Sequence, residues 1–579
     1  MIISLTPANW NPQAMSRSPR PSLAELCQQP YDLLIVGGGI NGAGAAREAA
    51  GRGLKVLLID AQDFAFGASS RSTKLVHGGL RYLEQKDYKL VAEALKERRH
   101  LYETLAPHLV RPLAFLFPVY QGDKRPPWMI RAGMWLYDLL AMKGQGLIHW
   151  HAWLGKNAAL EALPALKADG LLGAAQYWDC RMDDARLVLE NVLDAQRLGA
   201  KALNYCRLKS AHVLKEGEVR ARLRDEEAGL EAEVHAKQVL VCAGPWTDAV
   251  FEALGRKSPT PKVKPTKGIH LITRPVGGDQ ALIVPARSDG RVFFVIPWLL
   301  EGQNVSLIGT TDSDYKGDAA HVRAEEDDIS YLLAETARVL PGAKLTRADI
   351  LATYAGLRPL TAPPPGERRS ERAGIHKPGV GPKGNSALSR EHQFWEEPGI
   401  LAVTGGKYTT YRSLCQSLVE RAALRLGITL GPSRSATGPL PGAPKDAQSR
   451  ERLKTLARSL ETEFGLETAT AALLVQHYGL LAQDVAELTR EDPEFKKPLA
   501  PGSNSPAILA MAAWSARHEH MVHLSDFYLR RSFLGLTLPP DHRGVDRVAN
   551  VVGEILWWTK DRELEELDLL KRTVAGEYR

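Results

Sequence analysis

Cysteine is scarce in this chain. Its 579 residues hold five (Cys27, Cys180, Cys206, Cys242 and Cys415), far apart, with no CxxC pair and no Cys/His spacing suited to zinc. A disulfide scaffold is excluded and a reducing compartment is expected. No apolar run reaches the roughly 18 residues that a membrane-spanning helix needs. The first thirty residues also lack the apolar stretch and small-residue cleavage site of a secretory signal. The chain therefore reads as cytoplasmic or membrane-peripheral. Charge of one sign is not abundant either: 74 Lys and Arg stand against 67 Asp and Glu, a formal +7. That is a thin basis for a nucleic-acid partner, and no aromatic-basic binding motif supports one. With 44% hydrophobic and 24% charged residues, a disordered or collagen-like chain is excluded.

What is present begins at Tyr31-Asp32-Leu33-Leu34-Ile35-Val36, a short apolar run followed at once by Gly37-Gly38-Gly39. A continuous run of this length before a glycine turn suits a buried parallel strand. Residues 43–51 favour a helix and Lys55–Asp60 reads as a second strand, completing a βαβ opening and predicting an α/β sheet. Further strands are expected at Gln238–Cys242, Arg291–Ile296, Val305–Ile308 and Ile400–Val403. Residues 1–29 read as a flexible Pro/Ser/Asn-rich tail, 30–430 as the sheet-containing part, and 431–446 (GPSRSATGPLPGAPKD) as a linker. Helical runs at Leu453–Phe464, Ala507–Phe527 and Val548–Leu556 predict an all-α domain over 447–579. Residues 431–579 carry 19 basic and 21 acidic side chains, so the positive excess lies in the first 430 residues. Pro363–Arg390 reads as an exposed insertion.

Gly37, Gly39 and Gly42 match GxGxxG, in which the glycines serve the tight turn, the approach of a pyrophosphate and close helix–strand packing. The helix N-terminus that follows presents unpaired N–H groups to the phosphates. Asp60 stands at the end of the second strand, where a carboxylate can accept ribose hydroxyls. Two later strand-to-glycine turns, Leu240–Trp246 with Gly244 and Leu401–Lys407 with Gly405 and Gly406, offer further backbone to a dinucleotide. The second leads into a helix expected from Tyr408 to about Leu426, whose N-terminus could face a flavin ring. Gly406-Lys407 is not a phosphate loop, because Leu401 and Tyr408 stand where glycine and a hydroxyl residue are required.

The segment Gly67-Ala68-Ser69-Ser70-Arg71-Ser72-Thr73-Lys74-Leu75-Val76-His77-Gly78-Gly79-Leu80-Arg81-Tyr82-Leu83 resembles the signature of FAD-dependent glycerol-3-phosphate dehydrogenases, within the D-amino-acid-oxidase-like flavoproteins. Ile308–Asp312, Thr353–Leu360, Gly405–Arg412 and Asp183–Leu187 fit the same family in the same order, as does His518–Met521 with Asp526-Phe527. The resemblance spans roughly residues 30–560. It departs at Asp60, where many relatives have Glu, and at Ala243, often Thr.

The resemblance implies a Rossmann-type FAD-binding domain interleaved with a β-rich substrate domain, followed by the helical domain. It implies FAD as cofactor, oxidation of sn-glycerol 3-phosphate to dihydroxyacetone phosphate, and a membrane quinone as acceptor, reached from the cytoplasmic face. Ser69, Ser70, Ser72, Lys407, Tyr408 and Thr409 are then expected beside the cofactor. Arg81, Tyr82, Arg358 and Arg390 are expected at the substrate, since a phosphate dianion calls for bidentate guanidinium contacts. Removal of the C2 hydroxyl proton needs a base, and His270 is chosen because imidazole titrates near neutrality. Lys407 could stabilise the developing alkoxide, and His77 is expected in a structural or flavin-side role.

No metal site is expected. His518-Glu519-His520-Met521-Val522-His523 puts its second histidine one position beyond HExxH, and the loop from Asp312 lacks oxygen ligands at Lys316 and Arg323. Trp128–Leu140 combines Trp, Leu and flanking cations as interfacial helices do, with Val551–Trp558 as a lesser alternative. A homodimer is the usual prior. An oxidase that hands electrons to oxygen stays open, and an amine or amino-acid oxidase is a more distant rival.

Overall fold

The structure is a computed structural model that describes residues 20–84, 86–143, 148–214, 217–256, 262–361 and 392–578. Two sheets are built from alternating stretches of chain. The first has Tyr31–Val36 at its centre, parallel to Val56–Ile59 on one side and Leu230–Val241 on the other. Lys201–Leu203 and Ile400–Thr404 extend it in parallel, and Gln393–Glu397 closes an edge antiparallel. Apart from Asp32 near its start, the central strand is apolar because both its faces are covered, leaving Leu33, Leu34 and Ile35 with no exposure.

The second sheet has ten strands, taken from residues 75–182 and 263–361. Its long antiparallel pair, Val263–Thr273 with Ile350–Thr361, sets His270 opposite Tyr354 and Thr266 opposite Arg358. The chain passes from the first sheet to the second and back twice, so the domains expected over 30–430 are interleaved.

Residues 447–577 are helical, but several boundaries differ from expectation. The run expected at Ala507–Phe527 is a helix only over Leu509–His518. His520 then takes a left-handed φ of 54°, which ends regular helix, and a short turn Leu524–Asp526 follows. The expected flexible tail does not extend to residue 29. Arg20 pairs with Asp225 at 2.7 Å, and Ser22 caps the short helix Leu23–Leu26, whose leucines are buried. The segment 431–446 is irregular yet anchored: Leu440 is buried and donates its N–H to the Leu105 carbonyl (2.9 Å). Pro363–Arg390 lies outside the described residues. Among those described, no helix is long and apolar enough to cross a membrane.

Buried ion pairs join the helical part to the sheets. Asp63, in the turn after the second strand, accepts from Arg530 Nε (2.6 Å) and from both terminal nitrogens of Arg531 (2.6 and 2.8 Å). Burial alone would raise the Asp63 pKa; the two guanidiniums override it and hold the carboxyl well below its usual range. Asp63→Asn would leave two buried cations without their shared counter-charge. It should cost about 3–5 kcal/mol, read from urea unfolding of the FAD-loaded protein; a loss below about 1 kcal/mol would show that the join does not depend on this pair.

Candidate functional site

The interleaving encloses one cavity of about 2660 Å³ between the two sheets. Its first wall is the glycine turn. Gly37 has φ +112°, and a Cβ there would meet the Cys242 carbonyl oxygen at 2.6 Å, while one on Gly42 would overlap the Gly37 oxygen. Only glycine therefore lets the strand turn into the helix Ile40–Gly51 this tightly. Ser69 Oγ accepts from the Ile40 N–H (3.0 Å) at the start of that helix. Asp60 lies on the wall with both oxygens engaged, from Gly38 N (2.5 Å) and Gln62 N (2.8 Å), and burial raises its pKa to about 6.

Gly37, Gly39, Asp60, Ser69, Ser72, Gly244, Gly405, Gly406, Lys407 and Tyr408 all line this cavity, as do Tyr82, His270 and Arg358. Three residues expected at the cofactor stand behind the wall. Gly42 serves packing. Ser70 lends its carbonyl to Lys74 Nζ (3.1 Å). Thr409 is turned toward the His77 backbone, with Oγ1 3.2 Å from its N–H and 3.3 Å from its carbonyl. Arg81 opens the short helix Arg81–Glu84; its side chain, and the whole of Arg390, lie outside the described residues.

The opposite wall carries the charged groups. Arg358 is held in a fixed fork: Nη1 donates to Asp312 Oδ1 (3.1 Å), and Nη2 donates to Thr310 Oγ1 (2.9 Å) and the Thr311 carbonyl (3.0 Å). The guanidinium lies across Gly268, where any side chain would collide with it. Lys407 Nζ sits 3.4 Å from the centroid of the Tyr82 ring, a close cation–π contact.

His270 is fully enclosed. Its ring stacks on Tyr354 (centroids 4.8 Å apart, 24° between planes), backs onto Gly309, and has Nε2 2.9 Å from Thr73 Oγ1. Burial first, then the nearby charges of Arg358 and Lys74, hold its pKa well below 6.5. The imidazole is thus a neutral hydrogen-bonding group throughout the physiological range and not one that titrates near neutrality, which removes the reason for which sequence reading chose it. Thr73, Tyr354, Thr310 and Asp312, which fix His270 and Arg358, belong to the quoted motifs, but their spacing gave no sign of these roles.

The glycine cradle and the restrained Arg358 guanidinium share one cavity, and comparison with known proteins shows the family. Residues 32–412 match the family model described as FAD dependent oxidoreductase, and 433–563 match the C-terminal domain of alpha-glycerophosphate oxidase. The chain is 37% identical to glycerol-3-phosphate dehydrogenase 2 of Mycobacterium tuberculosis over 551 residues, covering 93% of this chain and 88% of the relative. It is 37% identical to glycerol-3-phosphate dehydrogenase of Synechocystis, covering 88% and 90% of the two chains. The solved structure of the Bacillus halodurans glycerol-3-phosphate dehydrogenase complexed with FAD is similar over 96% of both chains, with a TM-score of 0.74 and 28% identity.

The enclosure of His270 has a direct consequence. Its ring nitrogens, followed by ¹⁵N NMR of histidine-labelled protein, should titrate well below the ordinary imidazole midpoint. A midpoint near 6.5 would mean that burial and the two cations do not control it.

Proposed function

The chain belongs to the FAD-dependent glycerol-3-phosphate dehydrogenases, and on that premise we propose that it passes the electrons of glycerol 3-phosphate to a quinone at a membrane surface. The observation that carries the substrate reading is the placing of the fixed Arg358 fork and His270 in the same cavity as the glycine cradle. FAD, when bound, supplies the two-electron acceptor for the hydride leaving C2.

The chain's own groups do the rest. Arg358 meets the phosphate with its positive charge, while Asp312, Thr310 and the Thr311 carbonyl fix the plane of its guanidinium. Lys407, set on the Tyr82 ring, answers the negative charge that develops on the C2 oxygen. His270, held neutral, remains the residue we assign to accept the hydroxyl proton. As a weak base, it would act only while the leaving hydride drives the proton away from oxygen. Gly268 leaves room for Arg358, so the phosphate and the carbon to be oxidised are held from neighbouring strands of one rigid sheet.

The membrane reading rests on the helix Pro127–Lys143. Trp128, Trp135, Leu139 and Met142 recur along one face, with Trp128 68% and Trp135 57% exposed, whereas Ile130, Met134, Tyr137 and Ala141 are buried beneath. Exposed Lys124 and Arg131 flank the apolar face, the pattern of a helix lying in a lipid interface. Met129, Gly133 and Leu136 of the same helix line the cavity, so an apolar acceptor would reach it beside the membrane.

Anaerobic mixing with glycerol 3-phosphate should bleach the flavin. Arg358→Gln should raise KM tenfold or more, since a charge-assisted pair is worth about 1.5–3 kcal/mol, and His270→Ala should slow bleaching at saturating substrate. A wild-type bleaching rate in His270→Ala would sink the base assignment. Reoxidation by a short-chain quinone without peroxide supports the acceptor reading, and rapid peroxide formation in air overturns it.

The membrane helix is tested separately. The double variant Trp128→Ser/Trp135→Ser should lose most binding to anionic vesicles in a sedimentation assay while bleaching at the normal rate. Unchanged sedimentation would exclude this helix as the contact.

A further inference from the structure

Away from the cavity, the neighbouring strands Val110–Tyr120 and Leu171–Met182 set Arg111 directly opposite Arg181. Both side chains are half-buried. Both line a recess of about 50 Å³ between the second sheet and the helical part, with Lys74, His108, Gln476 and His477. Neither arginine lines the large cavity.

Among the described residues neither guanidinium has a carboxylate partner; the one hydrogen bond either makes is from Arg111 Nε to the His108 carbonyl, at 3.1 Å. Like charges set opposite each other on adjacent strands are unfavourable, and partial burial adds to the cost. The strain is visible in the groups themselves. Burial and then Arg181 pull the pKa of Arg111 down to about 10, and burial lowers that of Arg181.

Two acids, Asp183 and Glu301, also line the recess, but neither forms an ion pair with Arg111 or Arg181. Asp183 caps the helix Asp184–Arg197 through the Arg186 N–H (3.0 Å), and Glu301 accepts from the Phe533 N–H (3.2 Å). Burial raises both to about 7, so at neutral pH each is only partly ionised. The charge of Lys74 is met by Asp184, and His108 Nε2 faces Glu190 at 2.9 Å. His108 Nδ1, on a side chain only 3% exposed, has no hydrogen-bond partner. The recess therefore contains two opposed guanidiniums with no carboxylate paired to either, acids that are only partly ionised, and unmet hydrogen-bonding capacity beside them.

We propose that Arg111 and Arg181 form a second anion site, separate from the Arg358 fork, that takes a phosphate group at the mouth of this recess. Two guanidiniums from residues paired across adjacent strands and lining one recess suit the oxygens of a phosphate, and a bound anion removes the repulsion between them. The group can come from free phosphate or from a phospholipid headgroup. Arg181 is also paired in register with Leu75, next to Lys74 of the signature loop, so the site adjoins the wall of the large cavity without sharing its ligands.

The test is thermal unfolding of the FAD-loaded protein at pH 7 and fixed ionic strength, with sodium phosphate replacing chloride. The wild type should gain roughly 2 °C or more in Tm, saturating with phosphate. Arg181→Gln should match or exceed the wild type in chloride, because a repulsion is gone, and should lose that gain; Arg111→Gln provides the same comparison should the first variant fold poorly. A gain that persists in both variants but vanishes in Arg358→Gln would place all phosphate binding in the large cavity and overturn the proposal. Protection by phosphatidylglycerol vesicles alone, abolished in Arg181→Gln, would assign the site to a headgroup. No protection of the wild type by either probe would refute it.

Discussion

The structure hangs on the buried carboxylate of Asp63. It stands three residues beyond Asp60, in the turn that leaves the second strand, and is gripped by Arg530 and Arg531 from more than 460 residues further along the chain. Tyr205 adds its hydroxyl to Asp526 (2.6 Å), which also receives Arg530. A second buried pair, Arg186 with Glu519, repeats the join at the helix following Asp183. Both anchor points on the sheet side border the cavity wall: one follows Asp60, the other adjoins Asp184, which accepts from Ser72 Oγ at 2.7 Å. The helical part thus helps fix the loops that shape the cofactor cradle.

That fixing explains the electrostatics at the centre. A flexible loop would let water reach His270 and restore an ordinary pKa. Here Thr73, Tyr354 and Gly309 close around the ring, and the surrounding positive charge keeps it neutral. On the proposed assignment of His270 as the base, the same positive field would favour negative charge on a bound substrate oxygen, so the feature that weakens the base would also lower the basicity required of it. Proton removal and charge stabilisation are in this way two effects of one arrangement.

Much of the fold was legible because its signals are local. The apolar run 31–36, the three glycines and Asp60 lie within thirty residues, and each has a steric or hydrogen-bonding reason to be where it is. The interleaving was legible only through resemblance, since no periodicity reveals that 263–273 must pair with 350–361. Side-chain roles were less legible still. Thr73 and His270 are 197 positions apart and Asp63 and Arg531 are 468 apart, and isolated polar residues carry no sign of a distant partner. Ser70 and Thr409 show the converse: their membership of a motif was legible, but not their contacts with Lys74 and with the His77 backbone.

The positive excess of the first 430 residues also changes meaning. Many of the arginines there are neutralised one for one by buried acids, Arg47 by Asp194, Arg98 by Asp179 and Arg412 by Glu97, so the excess itself lies on other side chains. Net charge therefore says little about what the cavity offers an anion. Arg358 itself is tethered to Asp312, which reduces its attraction for anions in general but holds the fork in one plane. In the proposed site, a dianion that reaches this fixed guanidinium with its carbon at His270 and Lys407 gains from that geometry, while an anion of another shape meets a guanidinium already part-neutralised. Selectivity in such a site comes from the orientation of one restrained arginine more than from the amount of positive charge around it.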